Sequence, residues 1–283
     1  MLHVPHASQR FGFRASNHQN TRPSTTFGTS VTPAQNAFGS WTQLLSGATV
    51  AEDVFGVMIQ INNGATATAA RDILVDIGVD PAGGTAYSTV IPYLIGSNAA
   101  PNGFGGIWYY FPIWIRAGSS VAARAAVNNA TVGTVRVYIK VFGRPQNPES
   151  IKVGTYVDAH GITTATSSGT AITSGTTSEG AWTTLNASIS RPAWWWQMGF
   201  GINNGTITAL VWSMDLGIGD GSNKAVVIED LIAFTDTSER ISYQNFTTGC
   251  EFDAPTGSGV YGRLQCSGTV VTGLSVAAWS VGG

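Results

Sequence analysis

The chain reads as a series of short stretches in which apolar and polar residues alternate. Val57, Ile59 and Ile61 alternate with Met58 and Gln60, and Val135, Val137, Ile139 and Val141 alternate with Arg136, Tyr138 and Lys140. Further along, Met198, Phe200 and Ile202 alternate with Gln197, Gly199 and Gly201. A period of two sends every second side chain to the same face, so each stretch predicts a β-strand buried on one side. Asn-Gly, Gly-Gly and Pro-containing turns separate the stretches, and no segment carries the period of an amphipathic helix. The pattern predicts an all-β chain built of antiparallel β-sandwiches, with a jelly-roll as the best architecture.

The stretches also recur. Gly39-Ser40-Trp41-Thr42-Gln43-Leu44 returns as Gly180-Ala181-Trp182-Thr183-Thr184-Leu185, and Ile61-Asn62-Asn63-Gly64 returns as Ile202-Asn203-Asn204-Gly205 at the same offset. Val75-Asp76-Ile77-Gly78-Val79 then matches Met214-Asp215-Leu216-Gly217-Ile218, and Gly118-Ser119, Val121 and Arg124 fall on Gly257-Ser258, Val260 and Arg263. Self-similarity of this kind marks a duplicated unit. It predicts a first sandwich over 27–143, a linker over 144–164 and a second sandwich over 165–283, each of ordinary domain size. The low-complexity stretch Gly161 to Gly180 reads as either a flexible loop or a polar edge strand. Residues 1–26 hold Arg10, Arg14 and Arg22, and no acidic residue occurs before Glu52. Such a segment buries too little apolar area to order by itself. It reads as a disordered leader or as an extended N-terminal arm docking on a partner, with the arginines meeting carboxylates or carbonyls and Phe11 and Phe13 as anchors.

Composition narrows the function. Charged residues are 11% of the chain, against ~25% on average, and 35 glycines exceed the usual ~7%. A net charge of -2 with 14 Lys+Arg offers no footprint for duplex nucleic acid. No apolar run approaches the ~20 residues of a membrane span, and the polar start lacks a secretory signal, so a soluble protein made inside a cell is expected. Low charge together with nine tryptophans suggests a surface covered by neighbours, as in a homo-oligomer.

Candidate chemistry is sparse. Asp76 and Asp215 each sit inside an apolar strand, and a half-buried carboxylate needs donors; Arg124 and Arg263 are the natural partners. A calcium cage would need more oxygen ligands than either aspartate has nearby. Asp72, Asp76, Asp80, Glu229, Asp230, Asp236 and Glu239 do not recur as a carboxylate pair in both copies, which argues against a glycosidase. The four histidines lie in the arm and at His160, leaving neither sandwich core a Ser/His/Asp triad. No cofactor, metal or catalytic residue is expected. Cys250 and Cys266 flank the turn at Gly257-Ser258 and are expected to face each other across a hairpin, as two buried thiols or as a disulfide. Within Trp194-Trp195-Trp196, parity sends Trp194 and Trp196 to the core and Trp195 outward. Trp195 and, by similar parity, Trp279 nominate a subunit interface, with stacking on a sugar as the alternative use.

One resemblance bears on function. Gly39-Ser40-Trp41, Val75-Asp76-Ile77-Gly78-Val79, Val90-Ile91-Pro92-Tyr93-Leu94-Ile95, Tyr110-Phe111-Pro112-Ile113, Arg116-Ala117-Gly118 and Val121-Ala122-Ala123-Arg124 resemble a β-sandwich module of tailed-bacteriophage virion structural proteins. The second copy departs from it, with Glu229-Asp230 in place of Pro92-Tyr93 and Cys250-Glu251 in place of Phe111-Pro112. The resemblance implies a non-enzymatic component of a virion whose partners are other tail or capsid subunits. A tail-associated fibre, adaptor or host-contact element is the first expectation. A capsid decoration or cement protein is the second, and an appendage domain that binds a host surface glycan is the third.

Overall fold

A computed structural model describes residues 28–63, 73–96, 107–128, 133–145, 152–202, 210–235, 249–268 and 274–283, together with the backbone of 13–19. The first sandwich comprises β1 (Phe13–Gln19), β2 (Thr29–Val31), β3 (Ala34–Gln35), β4 (Thr42–Leu45), β5 (Gly56–Asn63), β6 (Ile73–Asp80), β7 (Ser88–Gly96), β8 (Ile107–Phe111), β9 (Ser120–Val127) and β10 (Val135–Pro145). The second comprises β11 (Tyr156–His160), β12 (Thr170–Ile172), β13 (Thr183–Asn186), β14 (Ala193–Ile202), β15 (Leu210–Gly219), β16 (Lys224–Thr235), β17 (Cys250–Ala254), β18 (Gly259–Cys266) and β19 (Leu274–Gly282).

In the first sandwich, sheet A runs β1-β10-β5-β8 with β2 beside β10, and it faces sheet B, β3-β9-β6-β7 with β4 beside β9. In the second, sheet C runs β11-β19-β14-β17 with β12 beside β19, and it faces sheet D, β13-β18-β15-β16. Pairing between the named strands is antiparallel except for the two-residue contact of β3 with β9. From β4 to β10 every connection passes from one sheet to the other except the β6–β7 hairpin, and from β13 to β19 the exception is β15–β16. That is jelly-roll connectivity. The copies correspond register for register: Met58 pairs with Lys140 as Gly199 pairs with Ala277, and Asp76 pairs with Arg124 as Asp215 pairs with Arg263.

The alternating stretches become the inner strands. Val57, Ile59 and Ile61 of β5 and Val137, Ile139 and Val141 of β10 are fully buried, and Trp196, Met198 and Phe200 of β14 occupy the matching positions in the second sandwich. β6 is buried at all eight positions, although one-sided alternation would leave half of them to solvent. Its outer face is covered by Trp41 and its neighbours, as described below. Buried apolar side chains of both sandwiches form one continuous cluster.

The element boundaries differ from the sequence reading in two places. Residues 13–19, assigned to a docking arm, pair with β10 as β1, which makes this stretch of the arm the edge strand of sheet A. The corresponding strand of the second sandwich, β11, falls in the segment read as a linker and pairs with β19. Of the two readings of the low-complexity stretch, the edge strand is the one found: it contributes β12, also on β19. Phe13 and Arg14 therefore lie on a strand of their own sandwich, while Arg10, Phe11 and Arg22 lie outside the described residues.

Candidate functional site

Each sandwich carries the same polar staple on the outer face of its second sheet. Asp76 is buried on β6, opposite Arg124 on β9. Arg124 donates to Asp76 Oδ2 from Nε at 3.0 Å and from Nη2 at 2.7 Å, and the Tyr93 N–H donates to Oδ1 at 2.9 Å. The guanidinium lies over the rings of Phe38 and Trp41 at 4.7 and 4.6 Å. Trp41 reaches this position because residue 78 is glycine: a Cβ there would stand 2.6 Å from the indole. Tyr93 accepts its place in the bulge at φ 56°, in the left-handed region that a bulky residue rarely enters. Burial raises the Asp76 carboxyl above its ordinary value, against the opposing pull of the Tyr93 N–H and Arg124.

The second copy repeats the arrangement and adds acid to it. Arg263 donates to Asp215 Oδ2 from Nε at 2.8 Å, Asp230 N–H donates to Oδ1 at 2.8 Å, and the guanidinium lies 4.4 Å over Trp182, which packs on Gly217. Asp230 takes the left-handed conformation of Tyr93, at φ 50°. Glu179 also pairs with Arg263, and carboxylate oxygens of Glu179, Asp215 and Asp230 lie within 4.8 Å of one another. A hydrogen bond shared with Asp215 raises the Glu179 carboxyl, with burial and the charges of its acidic neighbours adding to the effect. The partners that the sequence nominated thus meet in both copies. What it did not reveal is the third member of each staple, an N–H from a bulge sixteen or so residues along.

The tryptophans nominated for a subunit interface lie between the two sandwiches of one chain. Trp279 points away from its own core, as parity requires, yet it is 0% exposed. Its Nε1–H donates to Pro92 O at 2.9 Å and its ring meets Tyr109 edge to face at 5.2 Å. Gly199, two residues on from its pairing partner Gln197, is again a place where a Cβ would enter the indole, at 2.6 Å, and would lie 3.7 Å from Ile95. Trp195 is half-buried and packs edge to face on Tyr110, while Gln197 donates from Nε2 to Tyr110 O. Gly154 extends the seam: its N–H donates to Pro112 O and its carbonyl accepts from Trp114 N–H. The outer face of sheet C therefore covers the side of the first sandwich formed by β7 and β8. Glycines at outward positions of a strand signal a close approach, and Gly199 was the readable clue to this seam.

The cysteines do not face each other across a hairpin. Cys250 lies on β17 in sheet C and Cys266 on β18 in sheet D, so the turn between them is an arch joining opposing sheets, and both are free thiols. Burial pushes the Cys250 thiol up to about 12. His160 is buried against Trp196, with Asn186 Nδ2 at 3.1 Å from Nδ1 and Ser280 Oγ at 2.9 Å from Nε2. The amide N–H₂ can only donate, so Nδ1 accepts and Nε2–H donates to the serine, which fixes a neutral imidazole. Burial lowers its pKa to about 4. A shallow cleft of ≈ 290 Å³ is lined by Lys152, Pro192, Trp194, Asp253 and Pro255, where Lys152 pairs with Asp253 and lies 5.0 Å over Trp194. Among the described residues no helix is long and apolar enough to cross a membrane.

No protein-family model and no curated protein sequence matches the chain. Among solved structures, PNGF-II in its P21 crystal form is similar at 9% identity and a TM-score of 0.36, covering 95% of this chain, which spans only 65% of that one. PNGase F, a glycosylasparaginase from Flavobacterium meningosepticum, is similar at 10% identity and a TM-score of 0.30, with 93% and 94% covered. The CBM22-1-CBM22-2 tandem of Paenibacillus barcinonensis Xyn10C is similar at 13% identity and a TM-score of 0.23, with 92% and 98% covered. At these scores the likenesses carry nothing about substrate or partner, and the chain is an all-β tandem of two β-sandwiches by its own strand pairing.

Proposed function

We propose that the chain is a structural component of a tailed-phage particle, associated with the tail as a fibre, adaptor or host-contact element, and that it acts by assembly and binding rather than catalysis. The observation that carries this reading is the use made of its polar and aromatic side chains. The buried charge in each copy is neutralised by the same internal staple, and the outward tryptophans serve to dock one sandwich on another. The resemblance of the first-copy motifs, from Gly39 to Arg124, to a virion module supports the same reading. The test is to purify particles that carry the protein, quantify it against the major capsid protein and locate it by immunogold labelling. Label on the tail at a small fraction of the capsid copy number is the expected result. Label across the capsid shell would replace the tail assignment with a decorating role, and absence from particles would overturn both.

A second reading, a carbohydrate-binding appendage domain, has one observation in its favour: the cleft walled by Trp194 and two prolines beside a lysine and an aspartate. Glycan-array binding lost in Trp194→Ala would favour it over assembly alone.

A further inference from the structure

The seam between the sandwiches is asymmetric. The first sandwich contributes the side formed by β7 and β8, and the second contributes the outer face of β19 and β14 in sheet C. Because the two sandwiches are copies, each owns both kinds of surface, and a single chain uses one of each. The β16–β17 side of the second sandwich and the outer face of β10 and β5 in the first correspond to surfaces that are covered elsewhere in the same chain.

The clearest sign lies at one position. Ile95 on β7 and Ile232 on β16 are equivalent, since Ile95 pairs with Leu74 of β6 as Ile232 pairs with Ser213 of β15. Ile95 is 2% exposed and lies at the seam against Gly199, whereas Ile232 is 56% exposed. Val226 on the same strand is 43% exposed. With Val211 of β15 at 42%, three of the large apolar side chains exposed among the described residues fall on β15 and β16, a grouping that marks an interaction surface.

The charges say what the cover is. Where the seam has Pro92, the β16–β17 side has the exposed Glu229, and Asp230 and Glu251 are exposed around it. Where the seam has Ala277 on β19, the equivalent position of β10 is Lys140, paired beside Met58 and flanked on the same face by Arg136. Small or apolar groups within the chain are thus exchanged for exposed acid on one surface and half-buried base on the other.

We propose that the β16–β17 side of one copy receives the outer face of β10 and β5 of a second copy, so that the protein associates head to tail through the counterparts of its own interdomain seam, with Met58 and Phe142 standing where the seam has Gly199 and Trp279. Such an interface is heterologous, so it closes into a ring or propagates. The inference stands on the seam and not on the particle assignment: a monomer in solution would remove it while leaving incorporation into particles to the labelling experiment.

Sedimentation velocity on the full chain tests it with two variants, Ile232→Arg to disable the edge and Lys140→Glu to disable the face. The wild type is expected to show concentration-dependent assembly, and each variant alone to dissociate by about tenfold or more. A one-to-one mixture of the two is expected to form a dimer and nothing larger, since one good face meets one good edge. The double variant Glu229→Lys with Lys140→Glu is expected to regain assembly by reversing both charges. Circular dichroism matching the wild type shows that each variant is folded. A wild type that stays monomeric, variants that assemble like the wild type, or a mixture that yields no dimer would each overturn the proposal.

Discussion

The Asp76–Arg124 pair shows how much of the fold rests on single side chains. The carboxylate is almost wholly buried and the guanidinium, clamped by Phe38 and Trp41, is its main countercharge. Removing one partner of such a pair leaves a buried charge unpaired, so Arg124→Ala is expected to cost about 3 kcal/mol in urea unfolding. His160 supplies a prediction with a definite sign. Its folded pKa is lowered, to about 4 from 6.5, so the unfolded chain binds the proton more readily between these values. Its contribution is fully present above pH 6.5 and is lost as pH falls through that window, by an amount on the order of 3 kcal/mol. His160→Gln is expected to flatten the decline of stability from pH 6.5 to 4, whatever it does to stability at neutral pH.

Among the elements, the strands that could be read from the sequence are those whose side chains carry the information. β5, β10, β14 and β19 pack on a core, and their burial leaves a period of two or an unbroken apolar run. β1 joins β10 by backbone pairing, which leaves no mark on residue type, and β11 buries Val157 and His160, three residues apart, so that its five residues carry no period of two. For the same reason the bulges at Tyr93 and Asp230 escaped notice: no glycine stands where the backbone turns left-handed. The Asp–Arg pairing was legible because a carboxylate in an apolar strand needs a partner and the duplication supplied the same choice twice. The role of β1 is open to test. A chain lacking residues 1–19 loses the strand that caps β10, so thermal unfolding is expected at lower temperature than in the full chain, with added aggregation from the bared edge.

At the scale of the whole molecule the seam joins two sandwiches into one apolar cluster, and Trp279 is its centre. Deleting that indole removes a large buried aromatic together with its hydrogen bond to Pro92, so Trp279→Ala is expected to cost about 3–5 kcal/mol. It also removes what couples the halves. Calorimetry is expected to show a single cooperative transition for the wild type and two separable ones for the variant; two transitions in the wild type would mean that the sandwiches unfold independently. Outward parity correctly marked Trp279 as a contact residue, but sequence cannot tell a neighbour in another chain from one in the same chain, and here the tandem itself provides it.

The strand order has a consequence for synthesis. β10 and β19 are the last strands made in their respective sandwiches, and each sits between two strands made earlier. Until it emerges, the strands on either side have no common partner and one sheet of the unit lies open along its middle. Each half is therefore completed by insertion, the first as residues 135–145 leave the ribosome and the second only with residues 274–282. Since β19 also carries Trp279, the nascent protein passes through a stage in which a finished leading half still shows the apolar flank that the trailing half will later conceal, and this is the interval in which a chaperone has most to protect.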